Sequence, residues 1–301
     1  MGKLAFVFAG QGSQTVGMGL DLYNNFNVAK RIFDMAGKKV KEISFTGPAE
    51  QLNLTVNTQT CLFAMDLACA RALNEKGIFA DGVAGFSLGE IPAVTYAEIM
   101  NDQAAYEFVS LRAKAMQECA EENKGLMFAI LRLSESDVKN ICNSIGNAYP
   151  VNFNCPGQIV VACAENSAEE IQQYVAQKGG KSIKLAVSGA FHSPFMKKAS
   201  DKIKEYLATK DFPTMKISVY SNVTADVYGN PKELLAKQVI SPVLWQKTIE
   251  NMIEDGFDIF IEVGAGKTLS GLIKKINGNV KVLNVCDMAS LENTAREVQN
   301  A

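Results

Sequence analysis

The sequence predicts an α/β fold: a mainly parallel sheet covered by helices on both faces, interrupted by a small β-α-β-β-α-β unit. Three observations predict it. Continuous apolar runs alternate with helix-length amphipathic segments at both ends of the chain, as parallel strands joined by helical crossovers require. In the middle the order changes to strand, helix, two strands, helix, strand, the split arrangement of a ferredoxin-like unit. The 301 residues, 48% hydrophobic and 21% charged, are enough for one large core with a satellite beside it.

The first strand is predicted over 4–8, Leu-Ala-Phe-Val-Phe, apolar at every position as a strand buried on both faces must be. It ends in the polar glycine turn Gly10-Gln11-Gly12-Ser13-Gln14. A helix over 58–76 carries Leu62, Met65, Cys69 and Leu73 at helical spacing and stops at Gly77. A short strand then ends near Gly85, and Phe86-Ser87-Leu88-Gly89-Glu90 turns sharply into a helix running to about Ala97. Asp102 is expected to cap the next helix, which carries Val109, Arg112, Met116 and Cys119.

The small unit follows, with strands over 127–133, 150–154, 158–163 and 182–187 and helices over 134–145 and 167–177. Beyond His192 alternation resumes: helix 195–207, strand 216–221, helix 243–255, strand 258–263, helix 268–276 and strand 280–285. The large unit is therefore expected to be discontinuous, residues 1–124 and 193–301, with the small unit at 125–192.

Composition excludes several functions. With 30 Lys and Arg against 32 Asp and Glu, the chain offers no electrostatic footprint for nucleic acid or anionic lipid. One histidine leaves no His-rich metal site, and seven cysteines without a C-x-x-C pair give neither a zinc ribbon nor a redox motif. Buried free thiols in a reducing cytoplasm are the expectation. The apolar stretch at 4–9 is too short for a signal sequence, and no run approaches the roughly 18 residues that span a bilayer.

Gly85-Phe86-Ser87-Leu88-Gly89 matches G-x-S-x-G between a strand and a helix. That setting, more than the letters, marks a nucleophile elbow, where a strained turn projects the serine and the next N–H faces an oxyanion. Serine needs a base, and His192 is the only imidazole. It lies in the loop Ser188-Gly189-Ala190-Phe191-His192-Ser193-Pro194, with three strands still to come. No acid stands out to orient it, so a dyad is expected rather than a triad. Arg112, between Leu111 and Met116 on a part-buried helix, offers a planar fork for a carboxylate. Gly264-Ala265-Gly266-Lys267-Thr268 is not a phosphate loop, because Ile261 stands where the first glycine is required and Leu269 spoils G-x-G-x-x-G.

Taken together these stretches resemble the malonyl-CoA:acyl carrier protein transacylases of dissociated (type II) fatty acid synthesis, members of the acyltransferase-domain family. Gly10 to Gln14, Ser87 to Glu90, Arg112 with Met116-Gln117, Gly189 to Ser193 and Glu262 to Lys267 carry the resemblance. Val151 to Asn154 with Pro156-Gly157-Gln158 adds to it.

The resemblance implies an α/β-hydrolase-like core with a ferredoxin-like insertion. It further implies ping-pong transfer of a malonyl group from malonyl-CoA to the phosphopantetheine thiol of acyl carrier protein. Ser87 is then the acylated nucleophile and His192 its base. The N–H groups of Gln11 and Leu88 form the oxyanion hole, and Arg112 holds the malonyl carboxylate. Gln238 orients the histidine through its backbone carbonyl, and Asn154 lines the site. No cofactor or metal, no nucleic acid or membrane partner, and a cytoplasmic monomer are implied. One position departs: the family usually has histidine before the nucleophile, and here it is Phe86. The same dyad would also serve a trans-acting polyketide-synthase acyltransferase or an acyl-thioester hydrolase, and a non-catalytic carrier-docking module is the remaining reading.

Overall fold

The computed structural model describes residues 2–300. Nine strands are assigned: β1 (Lys3–Phe8), β2 (Gly82–Gly85), β3 (Gly125–Leu131), β4 (Ala148–Cys155), β5 (Gln158–Ala164), β6 (Lys181–Lys184), β7 (Ser218–Tyr220), β8 (Phe257–Val263) and β9 (Lys281–Val285). They form a five-stranded sheet in the order β7-β2-β1-β8-β9 and a four-stranded sheet in the order β4-β5-β3-β6. All neighbours in the first are parallel, and all in the second are antiparallel.

β1 sits at the centre because it can bury both faces. Phe6 and Phe8 join one apolar cluster, while Ala5 and Val7 join another around Trp245, Phe260 and Leu272. The small sheet also divides its side chains by period two. Phe128 and Ile130 of β3 pack with Ile141 and Val175 of the helices Glu135–Ile145 and Ala168–Gln177, whereas Met127 and Ala129 face the main core.

Several boundaries differ from the sequence expectation, each for a local reason. β3 ends at Leu131 rather than 133, since Arg132 takes φ 68° and leaves the strand. β6 ends at Lys184 rather than 187; Leu185 keeps one bond to the Met127 carbonyl and the chain then departs. The helix expected over 58–76 begins at Thr55. The cap of Asp102–Glu122 is Asn101, whose side chain accepts from the Ala104 N–H, and Asp102 is the first helical residue.

The sequence reading assigned nothing to Leu20–Asn25, Asn27–Ala36, Lys38–Thr46 and Ala49–Leu52, which are helices. Gly37 and Gly47, at φ 94° and 78°, break that stretch into short pieces, although Asn27–Ala36 buries Ala29, Ile32, Phe33 and Ala36 at helical spacing. Pro231–Gln238 and Met288–Gln299 are helices as well, capped by Asn230 and by an Asp287/Ser290 capping box. Among the described residues no helix is long and apolar enough to cross a membrane, and all seven cysteines are free, six of them buried.

Candidate active site

β2 runs into a 3-10 turn, Ser87–Gly89, followed at once by the helix Glu90–Tyr96. Only glycine permits this geometry. A Cβ on Gly85 would lie 2.0 Å from the backbone carbon of Gly89, and one on Gly89 would lie 2.2 Å from the Phe8 carbonyl oxygen. Ser87 itself takes φ 54°, a left-handed conformation that costs a side-chain-bearing residue of order 1–3 kcal/mol. Hydrogen bonds on both sides hold it there. Its N–H donates to Asn222 Oδ1 at 2.8 Å, and its C=O accepts from Gln238 Nε2 at 2.7 Å.

His192 approaches from the other sheet, in the loop that follows β6, and is also left-handed at φ 60°. Its Nε2 lies 2.6 Å from Ser87 Oγ and its Nδ1 lies 2.9 Å from the Gln238 carbonyl. A carbonyl only accepts, so Nδ1 carries the proton and Nε2 is free to take one. Burial, reinforced by the nearby Arg112 charge, pulls the imidazole down to about 4, so it is neutral at physiological pH.

Arg112 lies on the buried stripe of Asp102–Glu122 and is 1% exposed. Nη1 donates to Gln59 Oε1 at 2.6 Å; Nη2 donates to Gln238 Oε1 at 2.8 Å and to Ser87 Oγ at 3.3 Å. Its Nε has no partner among the described residues. Burial pulls the guanidinium down to about 10, opposed by the charge of Glu90. No carboxylate is bonded to it among the described residues, so its donors are satisfied only by neutral oxygens.

A cavity of about 240 Å³ opens at Ser87. Gln11, Leu88, Arg112 and His192 line it, and the small sheet closes it with Met127, Ala129, Asn154, Val160 and the outgoing segment at Leu185 and Val187. Asn154 presents a buried side-chain oxygen with no partner among the described residues. Gln11 and Leu88 both line the cavity beside Ser87. Gln238 stands behind the wall rather than in it, backing His192 and Arg112 together. The turn at Gln11 is tied down by its side chain, which donates to Thr55 Oγ1 at 3.4 Å, and that hydroxyl meets Ser188 Oγ at 3.2 Å. The rejected phosphate loop is filled by the chain's own carboxylate, since Glu262 accepts from the N–H groups of Leu269 and Ser270.

A serine at the tip of a glycine elbow, a neutral imidazole on its oxygen and a buried guanidinium beside it suit acyl transfer from a carboxylated thioester. A family model described as the acyl transferase domain matches residues 5–299. The chain belongs to the acyl transferase family. It is 39% identical to the malonyl CoA-acyl carrier protein transacylase of Bacillus subtilis (strain 168), with 97% of this chain and 96% of that protein aligned. The crystal structure of the malonyl CoA-acyl carrier protein transacylase from Clostridium perfringens superposes with TM-score 0.95 at 38% identity, covering 99% and 98% of the two chains. A malonyl-transacylase in complex with a type II PKS acyl-carrier protein superposes with TM-score 0.94 at 34% identity, covering 98% and 99%.

In this acyl transferase Phe86 packs edge-on against Trp245, ring centroids 5.5 Å apart, and lines the cavity. The sequence reading assigned no role to Gln59, Asn222, Glu90 or Tyr228, which hold the site together from outside the cavity or at its edge. Glu90 stood within the quoted elbow motif. The others are joined to it only by the fold, and no local spacing could have found them.

Proposed function

We propose that this acyl transferase moves a malonyl group from malonyl-CoA to the phosphopantetheine thiol of an acyl carrier protein by a ping-pong mechanism, in fatty acid synthesis. The observation that carries this reading is the convergence on Ser87 Oγ of His192 Nε2 at 2.6 Å and Arg112 Nη2 at 3.3 Å. One group can take the hydroxyl proton, and the other can hold a carboxylate one acyl length away.

In the first half-reaction Ser87 Oγ attacks the thioester carbonyl as its proton passes to His192 Nε2. The N–H groups of Gln11 and Leu88 receive the oxyanion of the tetrahedral adduct. Collapse breaks the C–S bond, the His192 proton goes to the departing CoA sulfur, and a malonyl-Ser87 ester remains. In the second half the carrier thiol gives its proton to His192 and attacks the ester, and the proton returns to Ser87 Oγ. Throughout, the Gln238 carbonyl keeps Nδ1–H oriented, in place of a triad acid. Arg112 holds the malonyl carboxylate, so decarboxylated or neutral acyl groups bind without that ion pair.

The reading takes the small unit as residues 125–192 inserted between 1–124 and 193–301, and the enzyme as a cytoplasmic monomer without a resident cofactor. Its test is direct. Incubation with malonyl-CoA alone is expected to add one malonyl mass to Ser87, and addition of holo acyl carrier protein to discharge it. Ser87→Ala should give no adduct, and His192→Ala should slow acylation by about 10⁴-fold or more. Rapid release of free malonate without carrier would instead mark a hydrolase.

A further inference from the structure

Two amide side chains grip the backbone of Ser87, and both lead to one carboxylate. Gln238 Nε2, which holds the Ser87 carbonyl, also donates to Glu90 Oε2. Asn222, whose Oδ1 holds the Ser87 N–H, donates its own backbone N–H to Glu90 Oε1 at 3.3 Å. The Tyr228 hydroxyl donates to the same Oε1. Glu90 is fully buried at the first residue of Glu90–Tyr96 and does not line the cavity.

The Gln238 amide must choose which end faces which neighbour. Its nitrogen side meets two acceptors, the Ser87 carbonyl and the Glu90 carboxylate, so its oxygen faces Arg112 Nη2 at 2.8 Å. Turned over, it would set N–H against guanidinium N–H and oxygen against carboxylate.

We propose that Glu90 is a positioning residue for the transfer reaction: its carboxylate fixes the orientation of the Gln238 side chain, and through it the aim of Arg112 at a substrate carboxylate. This rests on the malonyl-transfer reading above. Glu90 is also the anion whose charge offsets the burial of Arg112 while the site holds no carboxylate. The titratable groups facing it are Arg112 on Asp102–Glu122 and Tyr228 beyond β7. Burial pushes Glu90 up to about 7, against the pull of Tyr228, Gln238, Asn222 and Arg112. Once protonated, Glu90 accepts more weakly from Gln238 Nε2, so that amide is held by the Ser87 carbonyl and Arg112 alone, and the guanidinium loses the charge that offsets its burial. Preference for a carboxylated donor then falls as pH drops through about 7, while transfer of a neutral acyl group, which does not use the ion pair, falls less.

The experiment measures kcat/KM for malonyl-CoA and acetyl-CoA against holo acyl carrier protein between about pH 5.5 and 9, for the wild type, Glu90→Gln and Tyr228→Phe. The wild-type malonyl/acetyl ratio should drop roughly tenfold or more on the acid side. Glu90→Gln should show the low ratio at every pH. Tyr228→Phe, lacking one donor to the carboxylate, should move the midpoint to higher pH. A folded Glu90→Gln with the wild-type ratio and profile overturns the proposal. If that variant does not fold, an unmoved midpoint in Tyr228→Phe overturns it. A wild type that transfers no malonyl group at all would overturn the malonyl-transfer reading itself, a result distinct from either.

Discussion

The Gln238 backbone carbonyl accepts from His192 Nδ1 at 2.9 Å, while the side chain of the same residue accepts from Arg112 Nη2 at 2.8 Å. One residue therefore backs both the base and the cation. The carbonyl has no negative charge to offer an imidazolium, and burial with Arg112 nearby keeps His192 neutral down to about 4. The base is thus available without waiting for deprotonation.

A pH profile follows from that value. Acylation of free enzyme by acetyl-CoA, which places no carboxylate against Arg112, should keep most of its rate below pH 6 and fall with a one-proton slope as pH passes about 4. Because the folded value lies below the ordinary 6.5, His192 also favours folding above 6.5, and that contribution is lost as pH falls from 6.5 through 4. Single-turnover acylation in a stopped-flow quench reads the limb. A limb near 6.5 would mean that His192 is solvated in the free enzyme.

Arg112→Ala should separate donors. Truncating one member of a buried, hydrogen-bonded charge pair costs about 2–5 kcal/mol, so kcat/KM for malonyl-CoA should fall by roughly 10²-fold or more beyond any fall for acetyl-CoA. Equal losses for the two donors would show that Arg112 is not the carboxylate clamp.

Phe86→His should alter acyl preference modestly and lower stability. The ring it replaces sits edge-on to Trp245 at 5.5 Å, an arrangement that contributes about 0.5–1.5 kcal/mol. Parallel kinetics with malonyl- and acetyl-CoA, with a thermal melt, check both parts. Unchanged kinetics for both donors would show that this position does not touch the acyl group.

Asp66 lies fully buried in Thr55–Glu75, and neither carboxyl oxygen has a partner among the described residues. Burial, with the charge of Glu262 behind it, pushes this carboxyl well above the ordinary 3.8. A raised value stabilises the fold at low pH and loses that contribution as pH rises through it. Asp66→Asn should therefore gain on the wild type as pH rises above 3.8, so that its advantage is larger at pH 8 than at pH 5, by about 1–3 kcal/mol for a burial cost of this kind. Melting temperatures at the two pH values test it, and a constant difference would show that Asp66 does not titrate on unfolding.

Much of this was legible along the chain because the informative signals are local. The apolar run at 4–8, the glycine elbow and the strand–helix order of the middle segment each depend on neighbours within a few residues. Ser87 was found by the elbow motif and His192 by elimination, since the sequence has a single imidazole. Helix caps were less certain: Asn101 and Asp102 are both good caps, and only the Ala104 bond distinguishes them. The polar frame around the elbow was not legible. The resemblance named Gln238 for its backbone carbonyl alone; its side chain, Asn222 and Tyr228 reach the distant Glu90 only because β2, β7 and the helix Pro231–Gln238 come together. A buried glutamate on a helix reads in sequence like any surface glutamate.

The cavity draws Ser87 and Arg112 from the five-stranded sheet's surroundings, His192 from the loop that leaves the four-stranded sheet, and part of its apolar closure from that second sheet. Side chains at Met127, Ala129, Val160 and Val187 can change in size without disturbing the elbow glycines, whose close contacts leave no latitude. Two evolutionary tempos can coexist in one pocket, a frozen side that breaks and makes thioesters and a drifting side that sets which acyl chain fits. New donor preferences are thus within reach of a few substitutions in the insertion, with the transfer chemistry inherited intact.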